Sequence, residues 1–172
     1  PPPPILQELI PIIIKNKTIV FNLEIKSLKI NNFDYLLRIQ KIIPMKLLVK
    51  QCIISSFNYL LLLQLKLVSK SNIAIAYILG ENFFGGMIKM SLNKILILIL
   101  KPEFLHPNVK YTTKTLIKWA HKHSIYVNTY TINKTIQLKK LISLNVDGVF
   151  TDNHALYINR NHNYLKVKSD NF

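Results

Sequence analysis

The stretch Thr113–Asp152, TKTLIKWAHKHSIYVNTYTINKTIQLKKLISLNVDGVFTD, decides how the rest of the chain is read. Thr113–His123 has a helical pattern behind a Thr112/Thr113 cap, and Ile125–Thr131 is a β-branched run. Lys134–Leu144 is helical again behind Asn133, a residue that suits an N-cap, and Gly148–Thr151 closes the stretch as a strand. Helix, strand, helix, strand with short connections predicts parallel strands joined by crossover helices.

Working outward, the same alternation continues upstream. Thr18–Ile25, Gln51–Phe57, Ile73–Leu79 and Ile95–Leu100 are short apolar runs of strand type. Phe33–Ile43 sets Phe33, Leu36, Leu37 and Ile43 near one helical face. Six parallel strands fit an open doubly wound sheet or most of a closed barrel. Gly85-Gly86 lies between Phe84 and Met87 without phosphate-loop spacing, which counts against a dinucleotide-binding sheet.

A chain of 172 residues, 49% apolar, fits one globular domain. Its net charge of +15 comes almost wholly from lysine, since Arg38 and Arg160 are the only arginines. The lysines (Lys15, Lys29, Lys50, Lys70, Lys94, Lys118 and Lys139 among them) are scattered along the chain. That distribution predicts an anion-attracting surface, not a nucleic-acid face. The chain opens on Pro1–Pro4 with no methionine, and is read as cut from something longer. Cys52 is the single cysteine, which excludes an intrachain disulfide and Cys-based zinc sites; beside Ile53 and Ile54 it is expected to be an inert buried thiol. No apolar run approaches the ~18 residues of a membrane span, and Gln64 and Lys66 interrupt Tyr59–Val68. With no signal peptide in view, a cytoplasmic location is expected.

The chemistry starts at Phe21-Asn22-Leu23-Glu24-Ile25-Lys26. Alternate strand residues share a face, so Asn22, Glu24 and Lys26 point together and Phe21, Leu23 and Ile25 point to the other side. A carboxylate beside an ammonium suits phosphodiester chemistry: Glu24 can ligate a hard divalent cation and Lys26 can neutralise a phosphate oxygen. The same spacing also fits a solvated pair on an edge strand.

Further fragments follow in order: Ile54-Ser55-Ser56-Phe57, Leu105-His106-Pro107, Tyr126-Val127-Asn128-Thr129-Tyr130-Thr131-Ile132-Asn133, and Val146-Asp147-Gly148-Val149-Phe150-Thr151-Asp152. The series resembles the glycerophosphodiester phosphodiesterase family, whose strands end in E-I-K, S-S-F, [WY]-T-[VI]-N and V-D-G-[IV]-x-T-D. Pro4-Ile5-Leu6-Gln7-Glu8-Leu9 is similar to the family's segment before E-I-K, so the resemblance runs from about Pro4 to Leu156. It implies an incomplete TIM-type (β/α) barrel of the phospholipase C-like phosphodiesterase type, about six parallel strands with helices outside. It divides the chain into 1–160, the C-terminal portion of such a domain, and a polar tail at 161–172.

The implied activity is metal-dependent hydrolysis of a small glycerophosphodiester to an alcohol and glycerol 3-phosphate. Residue by residue, the resemblance makes Glu24 a metal ligand (Ca²⁺ or Mg²⁺) and Lys26 the catalytic lysine beside the phosphate. Tyr130 takes the place of an aromatic against the substrate, or simply fills the barrel, and Ser55 and Phe57 line the mouth. Asn133 is expected as a helix cap and Asp152 as a turn residue; His106 matches the family's L-H-P.

The departures are as informative. The family's H-R-G, E-x-D and H-D motifs do not occur, and none of His106, His121, His123, His154 and His162 precedes Arg-Gly. No two of the eight carboxylates have E-x-D spacing. A hard cation wants about six or more oxygen ligands, so weak or absent metal binding and little turnover by this chain alone are expected. A non-catalytic barrel remnant or interaction module is the alternative, ahead of a basic nucleic-acid or anionic-membrane module. A complementing N-terminal fragment, or self-association through open barrel edges, is the expected kind of partner.

Overall fold

The computed structural model describes residues 5–26, 34–68, 73–80, 87–153 and 155–158. Pro4, Gly85-Gly86, His154 and the tail expected at 161–172 lie outside the described residues. Helices and strands alternate, except that two helices in succession, α2 and α3, precede β2. In order they are α1 (Leu6–Lys15), β1 (Phe21–Glu24), α2 (Asp34–Ile42), α3 (Met45–Gln51), β2 (Cys52–Ser56), α4 (Tyr59–Val68), β3 (Ala74–Leu79), α5 (Met87–Leu100), β4 (Phe104–Pro107), α6 (Lys114–Lys122), β5 (Tyr126–Thr129), α7 (Thr135–Ser143), β6 (Gly148–Val149) and α8 (Ala155–Ile158). The strands follow sequence order in one sheet, β1-β2-β3-β4-β5-β6. β1 with β2, β4 with β5 and β5 with β6 pair in parallel, the arrangement that an intervening crossover helix imposes.

One expected strand is a helix. Ile95–Leu100 is the last stretch of α5, and the strand comes after it, at Phe104–Pro107. In a strand Ile95, Ile97 and Ile99 would share a face. Instead Ile97 and Leu100 are fully buried while Ile95 and Ile99 are more than half exposed, the three-residue spacing of a helix.

The chain divides into two compact units between Ala76 and Tyr77. In the first, Ile13, Ile43, Leu48, Ile54, Leu61, Leu62 and Ile75 are the largest fully buried side chains. Every residue of β2 is buried, as expected of a strand covered on both faces. Asn58 accepts from Leu61 N at 3.1 Å and so caps α4. Gln51 Nε2 donates to Ile13 O at 3.2 Å, to Asn16 O at 3.0 Å and, at 3.5 Å, to Ile19 O. Cys52 is buried, and burial pushes its thiol up to about 11, so it is inert.

In the second unit Leu79, Leu105 and Val127 of the sheet pack on Ile97 of α5 and on Ile117 and Ala120 of α6. Thr113 caps α6 by accepting from Leu116 N at 3.2 Å. α6 and α7 both end on left-handed residues, Ser124 (φ 58) and Asn145 (φ 61). Ile125 N then donates to Ala120 O and Val146 N to Leu141 O, a C-terminal wrap that turns each helix directly into the next strand. Asp147 Oδ2 accepts from Val127 N and contacts His121 Nε2, both at 2.7 Å, fastening the start of β6 to β5 and α6. A Cβ at Gly148 would sit 2.4 Å from Asn128 Oδ1, so any larger residue after Asp147 would require the Asn128 side chain to move.

Candidate functional site

In the first unit, Glu24 ends β1 in register with Ser55 of β2. Partners in a parallel pair project to the same side of the sheet, so the carboxylate and the hydroxyl share a face. Ser55 is fully buried, and its Oγ accepts from Asn22 Nδ2 at 3.0 Å. The ladder runs one residue beyond Glu24, where Ile25 N donates to Ser55 O and Ser56 Oγ donates to Ile25 O, each at 2.8 Å. Those bonds hold the strand end from which Glu24 projects, exposed, with Lys26 exposed two residues on. Phe57, just past β2, is half exposed. The structure therefore brings Asn22, Glu24 and Ser55 together. The sequence had placed Asn22 on the Glu24 face and given it no role, because the signal is the register between two strands far apart in the chain.

Tyr130 belongs to the second unit. Its hydroxyl donates to Leu79 O at 3.2 Å, its N–H donates to Pro107 O at 3.1 Å, and its carbonyl accepts from Val109 N at 2.6 Å. The ring is half buried, and the polar tip braces the end of β3. On the same unit His106 is buried, with Nε2 lacking a hydrogen-bond partner among the described residues. Its ring stands edge-on to Phe150 with centroids 4.8 Å apart. Burial pushes the imidazole down to about 4, so it is neutral at pH 7.

His121 and His123 are exposed at the end of α6, His121 against Asp147 and His123 against the Trp119 ring. Asn133 does not cap α7: the N-cap is Lys134, which makes no side-chain cap bond. Asn133 Oδ1 instead accepts from Asp152 N at 3.0 Å and its Nδ2 donates to Asp152 Oδ2 at 3.1 Å. Oδ1 also accepts from Thr151 Oγ1 at 3.4 Å, so the carboxamide is turned toward Thr151 and Asp152 and not toward α7.

Among the described residues no three His, Cys, Asp or Glu side chains cluster as a metal site. A divalent cation needs several oxygen donors. The residues at the end of β1 therefore do not fit such an ion by themselves.

A family model, the glycerophosphoryl diester phosphodiesterase family, matches residues 7–156. No curated protein sequence matches the chain. Among solved structures, a Silicibacter pomeroyi protein of the glycerophosphoryl diester phosphodiesterase kind superposes with a TM-score of 0.70 at 18% identity, over 89% of this chain and 55% of that one. An Oleispira antarctica phosphodiesterase in complex with the product sn-glycerol-3-phosphate gives 0.65 at 24% identity, over 87% and 57%. A Parabacteroides distasonis glycerophosphodiester phosphodiesterase gives 0.64 at 22%, over 87% and 60%. At these identities the likeness speaks for the fold, six parallel strands and helices of the TIM-type (β/α) barrel, and the chain spans 55% to 60% of those relatives' lengths. The family match covers most of the sequence, and its motifs end the strands they were expected to end: the chain belongs to the glycerophosphoryl diester phosphodiesterase family.

Proposed function

We propose that this chain forms the substrate-side portion of an enzyme that hydrolyses small glycerophosphodiesters to an alcohol and glycerol 3-phosphate. The observation that carries the reading is the family match over residues 7–156, with Glu24, Lys26 and Ser55 at two adjoining strand ends. Lys26, exposed just past β1, is the group that neutralises a non-bridging phosphate oxygen, a role for which a flexible point charge suffices. Glu24 is one prospective ligand of a divalent cation whose other donors the described residues do not supply. On the first unit Phe57, half exposed, borders the substrate, and Ser55, buried and held by Asn22, backs that strand end; on the second unit Tyr130 is assigned an aromatic contact of its own. A cytoplasmic location is proposed with this reading.

The reading includes little turnover by these 172 residues alone. Leaving-group departure needs a positioned proton donor. His106 is buried, and His121 is engaged with Asp147. Titration of the isotopically labelled chain with sn-glycerol 3-phosphate tests the binding half. Resonances of Lys26 and Ser55 are expected to move, and Lys26→Ala to weaken the response about tenfold or more. Glycerophosphocholine with Ca²⁺ or Mg²⁺ should give no turnover above the blank. Absence of any ligand response, or one indifferent to Lys26, overturns the assignment.

A further inference from the structure

The last six residues of α5, Ile95–Leu100, are all aliphatic, and only part of that surface is used inside the protein. Ile97 and Leu100 enter the core, whereas Leu92 is 57% exposed, Ile95 54%, Leu96 38% and Ile99 59%. At 3.6 residues per turn the spacing of 92, 95, 96 and 99 makes one continuous outward stripe. α6 packs beside α5: Ile97 shares a core with Ile117 and Ala120, and Lys94 Nζ lies 5.4 Å from the Trp119 ring centroid. On α6 the buried residues are Leu116, Ile117 and Ala120, and the opposite face carries Lys114, Lys118 and Lys122, all exposed and one turn apart. Between Ser91 and His123 the only carboxylate is Glu103. An outward aliphatic stripe and an outward row of ammonium groups thus lie on neighbouring helices.

A contiguous apolar patch of this kind is often functional. A second copy is a poor cover. Four half-exposed aliphatic side chains present on the order of 300–400 Å², against ~800 Å² per partner for a stable pair, and like-charged lysine rows would approach one another. Anionic lipid answers both features, since acyl chains accept the stripe and phosphates meet the lysines. We propose that the α5–α6 face docks on an anionic phospholipid bilayer, with Leu92, Ile95, Leu96 and Ile99 seated at the acyl boundary and Lys114, Lys118 and Lys122 on the headgroups. The face is peripheral by construction: among the described residues no helix is long and apolar enough to cross a membrane. The inference does not depend on the catalytic reading.

The test is co-sedimentation of the full chain with vesicles of phosphatidylcholine alone and of phosphatidylcholine with about one-third phosphatidylglycerol. Binding is expected only to the anionic vesicles, and to fall tenfold or more between ~0.1 M and ~0.5 M salt. Ile95→Asn with Ile99→Asn, and separately Lys114→Gln with Lys118→Gln and Lys122→Gln, should each reduce it tenfold or more. Trp119 is the single tryptophan, so its quenching by brominated lipid reads the docked face in the unaltered chain even if a variant fails to fold. No binding to anionic vesicles, no quenching, binding unchanged in both variants, or equal salt-sensitive retention on duplex DNA overturns the proposal. So does self-association that the Ile95/Ile99 variant abolishes, which would make a second copy the occupant.

Discussion

His106 is a neutral imidazole sealed against Phe150, and its burial has a pH signature. Unfolded, it takes up a proton as pH falls through the ordinary value of 6.5; folded, it resists protonation down to about 4. In that window the unfolded state binds more protons, so stability declines as pH is lowered and levels off for this group below the folded value. Between pH 7 and pH 5 the loss is about 2 kcal/mol. Urea titrations at both pH values should show that drop in the native chain and a smaller one in His106→Asn; equal drops would clear His106 of responsibility. Leu105-His106-Pro107 gives no hint of burial, because a histidine between apolar neighbours is equally compatible with either face of a two-sided strand. Ser55 posed the same difficulty, its partner Asn22 lying 33 positions away.

Helices with one apolar face were legible, and a helix that ends apolar all round was not. α6 and α7 show a clear helical stripe, and β1, β2, β3, β5 and β6 fall within the runs expected to hold them; on α2 the expected face is corrected, since Leu37 is 54% exposed and Ile39 is buried beside Ile43. α5 was misread because ILILIL has no polar residue to betray its period; length and flanking residues must then decide, and α5 begins eight residues upstream of Ile95. β4 was missed for the complementary reason, since four residues containing histidine and proline make a weak strand signal. The two assignments predict different mutational costs. As a helix, α5 should lose about 2–5 kcal/mol with Ile97→Ala and under about 0.5 kcal/mol with Ile95→Ala or Ile99→Ala. Comparable losses at all three positions, measured by thermal or urea unfolding, would restore the strand.

Considered as a whole, the chain holds the strands of only part of a (β/α) barrel, and the sheet order leaves β1 and β6 each with one neighbour among the described residues. Their outer N–H and C=O groups are a template for further pairing. Light scattering between about 5 and about 100 μM is expected to show association that grows with concentration and is untouched by Ile95→Asn with Ile99→Asn. A strictly monomeric species with a single cooperative melt would count against it. At the amino end a different economy holds. The carboxamide of Gln51 has two hydrogens for three carbonyls, those of Ile13, Asn16 and Ile19. Much of the polar tether of the opening helix therefore hangs from one side chain, as a flap hangs from a single pin. Gln51→Ala is therefore expected to open the first helix to trypsin near Lys15 and Lys17 while the strands behind it still hold, with the buried Ile13 as its remaining anchor.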